Sequence, residues 1–255
     1  MPHMQINGVQ LHYQSVGTGK TILCIHPPLL TGENFYYQRE QLANEFRIIT
    51  LDLRGHGKSD ASSLPLSYPL IVEDIVQLLD QLQINEVILC GYSTGGSIAL
   101  EAMLRYPNLF VGGILISTMS EATRFYLKSR IHTAYTLSNP YTFKTLATAI
   151  CLGNADSIST YQRLYQASRT GHIPNIKQYY QYSQLYQCTN RLHQITQPTL
   201  LLYGENDRHF HHYFRLLQNN IPKHIDALIM NAPHQLPTKA TSKIHPIIRD
   251  WMKSL

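Results

Sequence analysis

The chain has 255 residues, of which 44% are hydrophobic and 15% are charged. Its 21 Lys and Arg exceed its 16 Asp and Glu, so the formal net charge is +5. This length is enough to bury the core of one globular domain with an insertion. Every apolar run is far shorter than the roughly 18 residues that a membrane span needs, so no membrane insertion is predicted.

Short apolar runs of strand type alternate with segments of helical period. The first is predicted to be an antiparallel hairpin over Ile6 to Val16, with its turn at Asn7-Gly8. Further strands are predicted at Thr21 to Ile25, Arg47 to Leu51, Val87 to Cys90, Gly113 to Ser117, Thr199 to Tyr203 and Ala227 to Met230. Apolar residues at helical spacing predict helices near Ile71 to Leu82 and near Ile244 to Trp251. The alternation indicates an α/β fold around a mainly parallel sheet.

The middle of the chain differs in composition from both flanks. Residues 121–198 have a net charge of +6 and hold nine of the 17 tyrosines, whereas the rest of the chain has a net charge of −1. We interpret residues 120–198 as a helical insertion, and residues 1–119 and 199–255 as the core domain. Residues at spacings that fit amphipathic helices of the insertion are Leu127, Tyr135, Leu137, Tyr141, Phe143, Leu146, Leu164, Tyr165, Leu185 and Tyr186. The tyrosines either pack the insertion on the core or offer hydroxyls to a substrate. The positive charge either attracts an anionic substrate or an acidic surface, or it belongs to a basic face that is simply exposed to solvent.

The segment Gly91-Tyr92-Ser93-Thr94-Gly95 follows a predicted strand and precedes a helical stretch that must end near Pro107. A strand that turns sharply into a helix exposes the oxygen of the central serine, and side chains at the two glycines would collide with neighbouring backbone. The helix start also places free N–H groups near the reacting oxygen. The motif therefore predicts Ser93 as a nucleophile. The alternative is an ordinary glycine-rich turn.

Other motifs occur in a matching order. His26 follows a predicted strand, Asp52 to Asp60 reads Asp-Leu-Arg-Gly-His-Gly-Lys-Ser-Asp, Gly204-Glu205-Asn206-Asp207 follows a late strand, and Asn231-Ala232-Pro233-His234 follows the last one. With the serine motif, the chain resembles the α/β-hydrolase fold family over nearly its whole length, in particular its carboxylesterase and cofactor-free haloperoxidase branch. The resemblance implies a mostly parallel eight-stranded sheet, a helical cap inserted after the sixth strand, and catalysis without a cofactor.

A serine hydroxyl needs a base to take its proton and an acid to orient that base. We predict His234 as the base, because it follows the last strand on the side of the sheet where Ser93 emerges. We predict Asp207 as the acid. It is preferred over Glu205 and over Asp226, which is expected to begin the last strand at the far end of the sheet.

The remaining histidines and the cysteines are given other roles. His56 is predicted to be structural, and no metal is predicted at His209, His211 and His212, because no ligand spacing of carboxylates or cysteines accompanies them. The four cysteines do not form a disulfide framework in so long a chain. Cys24 and Cys90 are interpreted as small buried hydrophobic residues.

The oxyanion loop departs from the family pattern. In this family two backbone N–H groups stabilise the oxyanion, which here implies Thr94 and a residue after His26. The position that usually donates is Pro28, which has no N–H. We therefore predict Leu29 as the second donor, while Tyr92 and Pro28 are predicted to line the substrate pocket.

The sequence thus predicts a serine hydrolase that acts on a small ester. Lactonase, carbon–carbon-bond hydrolase and perhydrolase activities need the same three side chains. The proline pair also leaves open a non-hydrolytic ligand receptor on the same fold. A nucleic-acid partner is not predicted, since no recognition motif is present. The expected location is the cytoplasm, because the first residues show neither a basic nor an apolar segment of a secretory signal. The expected assembly is a monomer or a homodimer.

Overall fold

The computed structural model describes residues 2–255. They form an eight-stranded sheet with the order β1-β2-β4-β3-β5-β6-β7-β8. The strands are β1 (His3–Ile6), β2 (Val9–Val16), β3 (Thr21–Ile25), β4 (Arg47–Leu51), β5 (Val87–Tyr92), β6 (Phe110–Ile116), β7 (Thr199–Gly204) and β8 (His224–Ile229). The pairs β1–β2 and β2–β4 are antiparallel, and all other pairs are parallel. The predicted α/β fold with a mostly parallel sheet is therefore confirmed.

Helices cover both faces of the sheet and fill the interval between β6 and β7. They are α1 (Tyr36–Leu42), α2 (Tyr68–Gln81), α3 (Thr94–Arg105), α4 (Phe125–Leu137), α5 (Phe143–Asn154), α6 (Ile158–Ser168), α7 (Ile173–Leu185), α8 (His211–Asn220), α9 (Leu236–Lys239) and α10 (Thr241–Lys253). Helices α4 to α7 belong to the helical insertion. No helix within residues 2–255 is both long and apolar enough to span a membrane.

The central strands are apolar on both sides because helices cover both faces of a parallel sheet. Every residue of β3, β5 and β7 is buried. Ser67 begins α2 by accepting a hydrogen bond from the Leu70 N–H at 3.3 Å, and α2 then packs its apolar face on the core. Because these strands are parallel, their carboxyl ends lie at one edge of the sheet, where β5, β7 and β8 each end in a loop that carries a predicted site residue.

Two sequence expectations need correction. The last strand begins at His224 rather than Ala227, so Asp226 is its third residue and pairs in register with Leu201. Tyr141 and Leu185 of the helical insertion do not pack inside it, since they are 95% and 74% exposed. Tyr141 lies between α4 and α5 and Leu185 is the last residue of α7, so neither lies in the middle of a helix. Cys24 and Cys90 are buried thiols, as predicted.

Candidate active site

Ser93 occupies the single residue between β5 and α3. Its backbone has φ 54° and ψ −122°, in a region that residues with a side chain rarely adopt. A Cβ at Gly91 would lie 2.4 Å from the Cα of Gly96, and a Cβ at Gly95 would lie 2.1 Å from the carbonyl oxygen of Ile25. Both distances are too short for any real contact. The motif therefore needs glycine at these two positions so that the strand can turn into the helix at Ser93.

Ser93, His234 and Asp207 meet at the carboxyl edge of the sheet. His234 Nε2 lies 3.2 Å from Ser93 Oγ, and His234 Nδ1 lies 2.6 Å from Asp207 Oδ2. The Asp207 side chain is 8% exposed and that of His234 is 19% exposed. Because a carboxylate accepts the Nδ1 proton, Nε2 is left with its lone pair toward the serine. The geometry is that of a nucleophile, a base and an orienting acid.

Aromatic rings hold the imidazole in this position. The Phe210 ring centroid lies 4.2 Å from that of His234, and the Tyr92 ring centroid lies 5.3 Å from it. Phe210 was not singled out in the sequence, although it lies three residues after Asp207 in the same loop. The Phe210 N–H donates to the Asp207 carbonyl at 2.9 Å, so this ring belongs to the same turn as Asp207.

The competing carboxylates lie elsewhere. The Asp226 carboxylate is 3.7 Å from His224 Nε2, and the Glu205 carboxylate accepts a hydrogen bond from the Asn231 N–H at 2.8 Å. Neither contacts His234. The Glu205 contact joins the loops after β7 and β8, and this supports the position of Asp207 and His234 relative to each other.

Other buried histidines join loops near the site. His26 donates from Nδ1 to the Pro27 carbonyl at 2.9 Å and accepts from the Leu53 N–H at 3.0 Å through Nε2. Burial lowers its pKa, and the neutral ring therefore serves as a fixed bridge between two loops. Burial also lowers the pKa of His56, to about 3, and its Nδ1 donates to the Arg54 carbonyl at 3.1 Å. These contacts agree with the structural role predicted for His56.

The three histidines after Asp207 have separate contacts. The His209 ring stacks on Tyr126 at 3.6 Å, His211 Nε2 donates to the Gly204 carbonyl at 3.2 Å, and His212 accepts from Arg124 at 3.2 Å. Residues 2–255 contain no cluster of three His, Cys, Asp or Glu side chains placed to hold a metal ion.

The loop after β3 has an unusual backbone. Leu29 has φ 71°, in the left-handed region, and its side chain is fully buried. Among the residues described, the Leu29 N–H donates no hydrogen bond. Helix α7 secures this loop from above, since Tyr179 donates to the His26 carbonyl at 3.0 Å and Tyr180 donates to the Pro28 carbonyl at 3.5 Å.

Thr94 is the first residue of α3, where N–H groups have no partner within the helix.

A cavity of about 160 Å³ lies between the sheet edge and the helical insertion. Ser93, Thr94, Asp207 and His234 lie in its wall, as do Tyr92 and Pro28, the predicted pocket residues. The apolar part of the wall includes Leu30, Met119, Leu127, Ile131, Ile150 and Phe210. Leu29 is absent from the wall, so its side chain does not contribute to the pocket.

Two further polar side chains of the cavity, Asn154 and Arg130, were not singled out in the sequence. Tyr92 donates to Asn154 Oδ1 at 3.0 Å, and burial raises the pKa of this tyrosine well above its usual value. Asn154 ends α5, and its carbonyl accepts from Thr238 at 2.6 Å. The insertion is thereby joined to the core beside Ser93. Helical spacing from Leu127 was the available signal for Arg130, which also lines the cavity.

Known proteins are similar to this chain in amino-acid sequence. Human epoxide hydrolase 4 is 28% identical over 236 residues, which cover 79% of this chain and 63% of that protein. Serine hydrolase BPHL of Mus musculus is 27% identical over 267 residues, which cover 97% of this chain and 84% of that protein. The chain thus spans slightly less than two thirds of the length of the epoxide hydrolase.

A solved structure has the same architecture. The esterase EaEST from Exiguobacterium antarcticum superposes with a TM-score of 0.89 over 98% of both chains, at 20% identity, which is a likeness of fold. A family model described as alpha/beta hydrolase fold matches residues 20–237, a range that includes Ser93, Asp207 and His234. The chain therefore belongs to the α/β-hydrolase fold family.

Proposed function

We propose that the chain is a serine hydrolase that cleaves small carboxylic esters through an acyl-enzyme. The observation that carries the proposal is His234, which lies 3.2 Å from Ser93 Oγ and 2.6 Å from Asp207 Oδ2. A hydroxyl, an imidazole and a buried carboxylate in this order can activate the serine without a metal or cofactor. The adjoining cavity has an apolar wall that suits a small acyl or alcohol group.

The reaction has two halves. In the first, Ser93 Oγ attacks the ester carbonyl while His234 Nε2 takes the hydroxyl proton, and His234 then returns that proton to the leaving alcohol. In the second, a water molecule attacks the acyl-serine, His234 takes a proton from the water, and it returns the proton to Ser93 as the carboxylic acid leaves. Asp207 holds the Nδ1 proton and stabilises the imidazolium that forms in each half.

The oxyanion would be stabilised by backbone N–H groups. The Thr94 N–H is available at the start of α3, where the helix end also favours negative charge. We propose the Leu29 N–H as the second donor. The left-handed backbone at Leu29 supports this role, because strained residues cluster at active sites, and the Leu29 N–H has no other acceptor among the described residues.

Epoxide opening is a less suitable reaction for this site, although a relative bears that name. An alkoxide of Ser93 that opened an epoxide would form an alkyl ether. An ether has no carbonyl for water to attack, so the enzyme could not be regenerated by hydrolysis. A serine nucleophile therefore favours acyl transfer, which includes hydrolysis of cyclic esters.

Labelling and turnover together test the proposal. Wild type, Ser93→Ala and Ser63→Ala would be incubated with a fluorophosphonate probe and with p-nitrophenyl esters of increasing acyl length. Ser63 is exposed and does not line the cavity, so Ser63→Ala tests whether loss of a serine elsewhere has the same effect. We expect labelling and turnover to disappear in Ser93→Ala alone. A wild-type protein that is neither labelled nor active would contradict the hydrolase and favour a ligand receptor on this fold.

A further inference from the structure

We infer that the substrate carries a carboxylate at the end remote from the scissile ester, and that Arg130 binds this carboxylate. The inference rests on the proposed function, because that function places the ester carbonyl at Ser93. It adds the chemical class of the substrate and a residue that selects it.

Arg130 projects from the cavity face of α4. Leu127, Arg130, Ile131 and Ala134 all line the cavity, at a spacing of three and four residues that puts them on one face of the helix. Leu127, Ile131 and Ala134 are buried, whereas Arg130 is exposed. The guanidinium therefore stands at the solvent end of a wall that is otherwise apolar.

Arg130 has no acidic partner, whereas six of the twelve arginines within residues 2–255 form an ion pair with a carboxylate. Arg54 pairs with Asp74, Arg191 pairs with Glu101, and Arg249 pairs with Glu45. Among residues 2–255, no carboxylate lies within 4.0 Å of the Arg130 guanidinium. Its positive charge is therefore available to an anion that enters the cavity.

A neutral side chain holds the guanidinium in place. Arg130 Nη1 donates to the Tyr126 hydroxyl at 3.1 Å, and the Arg130 Cζ lies 5.6 Å from the Tyr126 ring centroid. Tyr126 is in turn stacked on His209. Tyr126 and His209 also line the cavity. This contact uses Nη1 and leaves Nε and Nη2, a pair of N–H donors whose geometry matches the two oxygens of a carboxylate.

The charge of Arg130 also acts on the interior of the cavity. Burial raises the pKa of Tyr92 and of Tyr180, and the positive charge of Arg130 opposes that rise at both residues. Tyr92 is next to the nucleophile, and Tyr180 lies on α7 above the Pro28 loop. The field of the guanidinium thus extends from the mouth toward Ser93.

These positions specify an amphipathic substrate. The ester carbonyl lies at Ser93, a short apolar chain lies along Leu127 and Ile131, and a carboxylate reaches Arg130. A monoester of an aliphatic dicarboxylic acid has this chemistry. The corresponding diester has the same chain and no charge, so it provides a matched comparison.

The test compares monomethyl adipate with dimethyl adipate. The ratio of their kcat/KM values would be measured for wild type, Arg130→Gln, Arg130→Lys and Arg169→Gln. Arg169 is an exposed arginine at the end of α6 that does not line the cavity, so Arg169→Gln removes the same charge from the helical insertion. We expect wild type to prefer the monoester and Arg130→Gln to lower the ratio about 10- to 100-fold, the usual worth of a hydrogen bond to a charged group. Arg130→Lys should keep part of the preference, and Arg169→Gln should keep all of it.

A binding measurement separates this inference from the proposed function. Monomethyl adipate would be titrated calorimetrically into Ser93→Ala and into Ser93→Ala/Arg130→Gln, neither of which needs to turn over. Affinity that is at least about tenfold weaker in the double variant supports the carboxylate subsite, even if the wild type hydrolyses no ester. Equal ratios in wild type and Arg130→Gln, or equal affinities in the two Ser93→Ala proteins, would overturn the subsite and leave the hydrolase intact.

Discussion

His234 and Asp207 are 27 residues apart in the chain, yet the Nδ1 of the imidazole lies 2.6 Å from Oδ2 of the carboxylate. The loops after β7 and β8 make this possible, because the two strands are parallel neighbours that end at the same edge of the sheet. The contact decides which nitrogen of His234 faces Ser93.

Asp207→Asn should lower kcat for ester hydrolysis by about 10³- to 10⁴-fold, because an amide no longer favours the imidazole tautomer with Nε2 free. Steady-state kinetics with a p-nitrophenyl ester would measure the change. Asp226→Asn is the matched control, since Asp226 is exposed and its carboxylate lies near His224. If the two variants lost activity equally, Asp207 would not be the orienting acid.

The backbone of Ser93 should store strain that glycine relieves. At φ 54° and ψ −122°, a side chain costs about 1 to 3 kcal/mol. We expect Ser93→Gly to have a free energy of unfolding about 1 kcal/mol higher than Ser93→Ala, after the entropy cost of glycine is subtracted. Urea unfolding of the two inactive variants would measure the difference. A more stable Ser93→Ala would show that the turn is not strained.

A transition-state analogue should reveal both oxyanion donors. We expect a small alkyl boronic acid to bond to Ser93 Oγ and to place one boronate oxygen within about 3.1 Å of the N–H groups of Thr94 and Leu29. A crystal structure of the adduct would measure both distances. An oxygen bonded to Thr94 and to a water molecule in place of Leu29 would refute the role of Leu29.

Acid should destabilise the fold through His56, whose pKa burial lowers to about 3. In the unfolded chain the ring binds a proton below about pH 6.5, whereas in the folded protein it stays neutral to about pH 3. The unfolded state therefore binds more protons in this window, so stability is greatest above pH 6.5 and falls as the pH is lowered. The contribution lost at pH 4 is about 3 kcal/mol.

His56→Asn should flatten this dependence, because an amide can still donate to the Arg54 carbonyl but does not titrate. Chemical unfolding at several pH values between 7 and 4 would measure the slope of stability against pH. His132→Asn is the control, since His132 is exposed on α4. An unchanged slope in His56→Asn would contradict the prediction.

Much of this architecture was predictable from local chemistry. The strands Thr21–Ile25 and Arg47–Leu51 were predicted with the bounds that the structure has, because a strand covered on both faces is a continuous apolar run between polar segments. The edge strand β8 was predicted less well. Its residues are largely exposed and include His224 and Asp226, so its first half lacks the apolar signal.

The residues of the candidate site also differ in how far the sequence alone could predict them. Ser93 could be identified from sequence because the motif is local: a Cβ at Gly91 would collide with Gly96, five residues away, although the constraint on Gly95 comes from Ile25 on a neighbouring strand. The family pattern then indicated Asp207 and His234. Asn154 and Arg130 were not identified, because the helical spacing that places Arg130 on the face of Leu127 does not show how α4 and α5 pack over the sheet edge. The local sequence of a helix does not determine which residues of other elements its polar side chains will contact.

The amino-acid sequence by itself determined the α/β order of elements, the sharp turn at Ser93 and the loss of an N–H at Pro28, because each follows from residues close together in the chain. Tertiary structure decided that His234 meets Asp207, that Asp226 does not, and that Arg130 reaches the cavity without an acidic partner. The physical reason is that hydrogen bonds and unpaired charges depend on distances between segments, and those distances exist once the sheet and the helical insertion have packed together.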